Sequence, residues 1–190
     1  SSDQMLIEAY KLLSNVPAAK LPTVLQLFNK MATEICEGQQ HDVDFESQEA
    51  VNIEEYLHMF RLKTSVLLGT ALQIGAYIAG ADQEAQRAIY DFGINVGLAF
   101  QIQDDILDVW GDPATFGKAV GGDIACNKKT FVFLTALQMA DIDHRRTLEN
   151  WYSRILTDNT QKIATVKSIF EAVGVRKACE EKVNDYTETA

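Results

Sequence analysis

Proline and cysteine are scarce in this 190-residue chain, with three of each, and glycine is modest at 11. So few chain breakers exclude a collagen-like, linker-rich or disordered design and favour helix as the regular structure. Cys36, Cys126 and Cys179 are odd in number, far apart and in no CxxC pair. That pattern argues against a disulfide framework and a structural zinc site, and points to a reducing compartment, the cytoplasm. His41, His58 and His144 show neither metal-ligand spacing nor a paired nucleophile, so histidine catalysis finds no support. No apolar stretch approaches the roughly 20 residues expected of a membrane span, and the polar start has no signal-peptide layout. Because that start is not a methionine, the chain reads as the middle of a longer protein. Basic residues are outnumbered, 17 against 27 acidic, for a formal net charge of -10. Nucleic acid and anionic membrane surfaces need a positive footprint, so neither is an expected partner. An anionic ligand would have to be held by local cations or by metal.

What the chain does have is apolar residues, 47% of the total, and they recur at helical spacing. Met5, Leu6, Ala9, Leu12 and Leu13 form a first stripe; Val24, Leu25, Phe28, Met31 and Ile35 form a second. Pro22 suits the first turn of a helix over residues 22–40, and the acid-rich stretch 41–52 reads as a connection. Further helices are expected over residues 53–79, capped by Asn52, and 82–110, stopped by Gly111-Asp112-Pro113. Residues 111–123 hold four glycines and a proline and read as a loop. Helices over 128–139, 143–156, 159–172 and 175–187 complete an all-α bundle of about seven helices, one domain spanning residues 1–190.

The stretch 92–110 is apolar over most of its circumference, yet Gln101, Asp104, Asp105 and Asp108 follow at offsets of three, one and three. On a 3.6-residue period these side chains share one face. Like charges so placed destabilise an isolated helix by a few tenths of a kcal/mol per pair, and by more when buried. A solvated acidic stripe would tolerate this. However, no Lys or Arg occurs between Arg87 and Lys118, and a glycine-rich loop with basic residues follows at once. Magnesium suits such a site, because it takes oxygen ligands and bridges one or two carboxylates to phosphate. Calcium satisfies the same ligand types, although EF-hand spacing is missing.

The string Phe100-Gln101-Ile102-Gln103-Asp104-Asp105-Ile106-Leu107-Asp108, then Gly111-Asp112, Gly117-Lys118, Gly122-Asp123 and Lys128-Lys129-Thr130, resembles the second aspartate-rich region of the trans-polyprenyl diphosphate synthases. Farnesyl and geranylgeranyl diphosphate synthases are the best-known members. Gly38-Gln39 with Asp42, and Lys63-Thr64, resemble further landmarks of that family in the right order, so the similarity covers roughly residues 1 to 140.

The resemblance implies a helical bundle of the isoprenoid synthase type that is incomplete at both ends. It also implies a homodimer and a magnesium-dependent condensation of isopentenyl diphosphate with an allylic diphosphate. By the same resemblance Asp104, Asp105 and Asp108 are the metal ligands. Lys63, with Thr64 beside it, Lys118 and Lys128 contact the diphosphate and stabilise its departure, with Lys129 the adjacent, solvent-facing alternative to Lys128. Gln39 and Asp42 face the same cavity, and Phe100 and Gln101 line the homoallylic side. The family's first aspartate-rich motif and the arginine pair after it have no match here, which would leave this chain by itself inactive. Two other readings remain at this stage. One is a different class I terpenoid synthase; the other is a non-catalytic regulatory or scaffold subunit that partners an active synthase.

Overall fold

Short polar side chains cap the starts of four helices. Asn52 accepts from the Glu55 amide at 2.8 Å while the Glu55 carboxylate receives the Asn52 amide at 2.9 Å, a reciprocal cap that satisfies two otherwise orphaned donors. Asp82, Thr130 and Asp141 do the same more simply, accepting from Ala85, Phe133 and His144 amides. The resulting structure is a computed structural model that describes residues 2–48, 50–112, 114 and 120–190, without the side chains of Ser2, Glu46 and Ser47. In chain order come α1 (Ser2–Leu13), α2 (Leu21–Ser47), α3 (Ile53–Phe60), a π-helical turn (Arg61–Ser65), α4 (Val66–Ala79) and α5 (Gln83–Trp110). Then follow α6 (Gly122–Ala125), α7 (Phe131–Met139), α8 (Ile142–Tyr152), α9 (Thr160–Ala172) and α10 (Val175–Thr189). Among the described residues there is no strand, and the all-α expectation holds.

α5 lies at the centre, packed along α4 on one side and α10 on another. Its buried stripe is Ile94, Leu98, Ile102, Ile106 and Val109, at spacings of three and four residues. This stripe joins one core with Met31, Tyr56, Met59, Val132, Phe170 and Cys179. Burial of this kind outweighs the repulsion between aspartates at the C-terminal end of the same helix, since each large apolar side chain contributes about 1.5–3 kcal/mol.

Several boundaries differ from the sequence expectation, and α8 ends at Tyr152 rather than at residue 156. α2 does not stop near residue 40 but runs to Ser47. No proline or glycine interrupts residues 41–47, Gln40 bonds the Asp44 carboxylate at 2.8 Å one turn on, and Phe45 is buried. α7 starts at Phe131 rather than at residue 128, because Thr130 takes the cap position. Residues 53–79 form not one uniform helix but α3 and α4 joined by the π turn. That same run, Ile53–Ala79, is also long and apolar enough to cross a membrane by length and composition, contrary to the expectation that none would be. Here it packs against α2 and α5, with Lys63 near its middle in an ion pair.

The π turn exists where α2 and the α3–α4 segment come closest. A Cβ on Gly38 would stand 2.4 Å from the Lys63 backbone nitrogen and 2.8 Å from the Leu62 Cβ, so only glycine admits this approach. An extra residue in the turn pushes Lys63 toward α2, which is how π turns commonly re-aim a functional side chain. Gly38→Ala is expected to lower stability in urea denaturation by about 1–3 kcal/mol, the range of an overpacked contact. Gly75→Ala, where a Cβ would meet nothing within 4 Å, should instead raise it by up to about 1 kcal/mol through helix propensity. Similar changes at the two positions would contradict this account of the close approach.

Candidate active site

The C-terminal half of α5 carries three aspartates, and the structure separates them. Asp105 is 1% exposed and turned into the protein. Its Oδ2 accepts from the Tyr56 hydroxyl at 2.6 Å and from the Phe131 amide at 2.9 Å, and its Oδ1 accepts from the Gln101 side chain at 3.2 Å. The carboxylate therefore ties α3, α5 and the N-terminus of α7 together, at a helix end where an anion is favoured. The expectation that all three carboxylates share one face is corrected accordingly. An offset of one residue rotates Asp105 by about 100° from Asp104, enough to bring it over the edge of the buried stripe.

Asp104 and Asp108, one turn apart, are half-buried. Asp108 accepts from the Asp123 amide at 3.1 Å, and its backbone carbonyl accepts from Gly121 at 2.6 Å, so the end of the glycine-rich segment folds back onto α5. Gly121, at φ +86°, supplies the left-handed turn that starts this return. The Asp123 carboxylate in turn meets Lys128 Nζ at 3.4 Å. Burial pushes the Asp108 carboxyl above its ordinary range, and the like charges of Asp123 and Asp104 add to the shift, against the Asp123 N–H and Lys128. Burial pulls the Lys128 ammonium down, but Asp123, Asp105 and Asp42 together outweigh it and hold the proton more firmly than usual.

Across from this cluster, Lys63 on the π turn donates to Asp42 on α2 at 2.5 Å. Asp42 and Lys128 both line a cavity of about 730 Å³ whose walls include Phe45, Tyr56, Met59, Tyr152 and Leu156. Lys63, Asp42 and Lys128, far apart in sequence, are thus brought to one region. Thr64 is half-buried beside Lys63. Gln39 is exposed on α2 one residue past Gly38, and Gln101 is committed to Asp105. Phe100 is 64% exposed on the face of α5 that also shows Phe92 and Val96, eight and four residues earlier. Lys118, with Gly117, lies outside the described residues.

Sequence reasoning missed several participants. Tyr56 looks like any core aromatic of α3 until its hydroxyl is seen on Asp105. Asp123 stood in the glycine-aspartate landmark without a role. Lys129 is not solvent-facing: its ammonium donates to the Phe45 carbonyl at 2.8 Å and to the Gln48 carbonyl, closing the C-terminal end of α2. Cations favour that end of a helix. Among the described residues no three His, Cys, Asp or Glu side chains converge as a metal cage. Asp104 and Asp108 nonetheless suit magnesium, which takes one or two carboxylates and completes its shell with phosphate oxygens and water.

Burial raises the Asp105 carboxyl from 3.8 to about 6, partly opposed by the Tyr56 hydroxyl, the Phe131 N–H and Lys128. The folded protein thus holds this proton more tightly than the unfolded chain. Stability from the protonated form is complete below pH 3.8 and is lost as pH rises through 6. The loss amounts to about 3 kcal/mol at 1.36 kcal/mol per pH unit. With chelator present, the stability of Asp105→Asn minus that of the parent should therefore climb by about this amount between pH 4 and pH 7. Denaturant melts giving parallel pH curves for the two proteins would contradict the buried, ionisable assignment.

Comparison with known proteins matches this arrangement to one family. The family model described as polyprenyl synthetase matches residues 1–173. Over 149 residues the chain is 38% identical to a short chain isoprenyl diphosphate synthase of Methanocaldococcus jannaschii, covering 78% of this chain and 45% of that protein. Over 180 residues it is 31% identical to a (2E,6E)-farnesyl diphosphate synthase of Mycobacterium bovis, covering 93% of this chain and 50% of the relative. A crystal structure of a geranylgeranyl pyrophosphate synthase superimposes with a TM-score of 0.92 at 48% identity, over 98% of this chain and 58% of that one. A geranylgeranyl pyrophosphate synthase from Corynebacterium glutamicum, solved with isoprenyl diphosphate and magnesium, superimposes at 0.87 with 29% identity, over 98% and 54%. The chain spans about half the length of the curated relatives it matches. A helical core, an acidic end of α5 and a facing set of lysines thus accompany a family match over most of the sequence, and the chain belongs to the polyprenyl synthetase family.

Proposed function

We propose that this chain serves prenyl chain elongation, the magnesium-dependent condensation of isopentenyl diphosphate with an allylic diphosphate. The observation that carries the reading is the opposition of charges in one region. Asp104 and Asp108, half-buried on α5, stand with Asp123 at one end, Lys128 lines the cavity, and Lys63 pairs with Asp42 on the cavity wall. A diphosphate brings roughly three negative charges, so carboxylates alone would repel it, and cations must hold it. The relative from Corynebacterium glutamicum, solved with isoprenyl diphosphate and magnesium, supports both ligands.

In this reading Asp104 and Asp108 hold magnesium, which supplies positive charge against the phosphate oxygens of the allylic substrate. Asp105 does not ligate; it fixes the helix that presents its two neighbours. Lys63, released from Asp42, and Lys128 bind the diphosphate with charge-assisted hydrogen bonds, together with Lys118. The carbon–oxygen bond of the allylic diphosphate breaks with its electron pair going to the leaving diphosphate. The double bond of isopentenyl diphosphate then attacks the allylic carbon, and a proton is lost from the adduct to restore an alkene. The lysines act by stabilising charge that accumulates as the bond breaks, in a site from which water is kept out. Gln39, Thr64, Phe100 and Gln101 stand beside this centre, Gln101 acting through Asp105. We place the protein in the cytoplasm as part of a homodimer; three free thiols fit a reducing compartment.

Calorimetric titration of the protein with an allylic diphosphate, with and without magnesium, tests the reading. Binding should require magnesium, and Asp104→Ala should abolish that requirement along with most of the affinity. Lys63→Ala should weaken binding about ten- to a hundredfold, as expected for loss of a hydrogen bond to a charged group. Magnesium-dependent binding of equal strength in parent and Asp104→Ala would refute the site.

A further inference from the structure

Lys162 on α9 is the one lysine among the described residues with 0% of its surface exposed. A buried ammonium is costly unless its protons are taken up, and two acceptors stand against it. Nζ donates to the Ala125 carbonyl at 3.2 Å and to the Asn127 side-chain oxygen at 2.5 Å, while the Tyr152 ring lies 5.6 Å away. Asn127 is itself unusual, because its φ of +59° is positive and it is not glycine. Asparagine tolerates that conformation better than most residues, but it still has to be held there. It is held from both ends: Oδ1 by Lys162, and Nδ2 by donation to the Arg154 carbonyl at 2.9 Å.

The residue after this reversal is Lys128. Its amide donates back to the Asp123 carbonyl at 2.9 Å and its ammonium reaches the Asp123 carboxylate at 3.4 Å. The direction in which Lys128 leaves the backbone is therefore set by the left-handed turn at Asn127. That turn is set by a lysine 35 positions further on, in α9.

We infer that Lys162 is a positioning residue for Lys128, acting through Asn127 to aim that ammonium at the diphosphate. The inference rests on the assignment of Lys128 to diphosphate binding. Lys162 touches neither substrate nor metal. Its effect should pass entirely through Lys128.

A double-mutant cycle on binding of inorganic pyrophosphate with magnesium, followed by calorimetry, tests this. Lys128→Ala and Lys162→Met should each weaken binding about tenfold, and the double variant should bind no more weakly than Lys128→Ala, because the second change has nothing left to aim. If Lys162→Met does not fold by circular dichroism, Asn127→Ala takes its place, since alanine removes the acceptor and disfavours the left-handed backbone. Multiplying losses, or parent-like binding by a folded Lys162→Met or Asn127→Ala, would overturn the positioning role while leaving Lys128 in the site. No loss in Lys128→Ala would remove the assignment beneath it.

Discussion

The buried carboxylate of Asp105 is the constraint from which the site follows. An ionised group removed from water costs several kcal/mol unless donors surround it, and here three do. Those donors come from α3, from one turn earlier on α5, and from the first amide of α7. The rotation of α5 about its axis and the starting point of α7 are therefore fixed by one residue. With that rotation set, Asp104 and Asp108 are left on the outer side. With α7 started at Phe131, the three residues ahead of it, Lys128, Lys129 and Thr130, take three separate tasks. Thr130 caps, Lys129 closes α2, and Lys128 turns toward the acids.

Close backbone approach does for Lys63 what the carboxylate does for Lys128. Gly38 lets α2 meet the π turn with no side chain between them, and Asp42, one turn later on α2, meets the lysine that the turn displaces. Among the described residues, two lysines of the site answer a carboxylate: Lys63 with Asp42, Lys128 with Asp123. Both pairs keep a quarter or more of each lysine's side chain exposed, so each is a modest interaction that a more highly charged ligand can displace. Such a site is held in shape by its own ion pairs.

Much of this was legible from residues alone. Spacing of apolar positions gave the helical class, Asn52 and Asp82 announced their helices, and the run from Asp104 to Lys128 carried the family likeness later found by comparison. What escaped had a common physical origin in long-range geometry. Periodicity places Asp104, Asp105 and Asp108 within one broad sector but does not say where the edge of the core falls, and Asp105 lies just inside it. Lys129 reads as a surface residue until α2 proves seven residues longer and ends beneath it. Lys162 and Tyr56 sit among ordinary helical neighbours, and only folding brings a carbonyl, an amide oxygen or a carboxylate to them. The apolar run Ile53–Ala79 includes Arg61 and Lys63, and the helix continues through both cations by way of the π turn.

A crystal structure of the protein with magnesium and an allylic diphosphate bears most directly on the central claim. The account predicts metal liganded by Asp104 and Asp108 together with diphosphate oxygens, while Asp105 keeps its bonds to Tyr56 and Phe131. A metal bound through Asp105, or a diphosphate seated elsewhere with Asp104 and Asp108 facing only water, would contradict it.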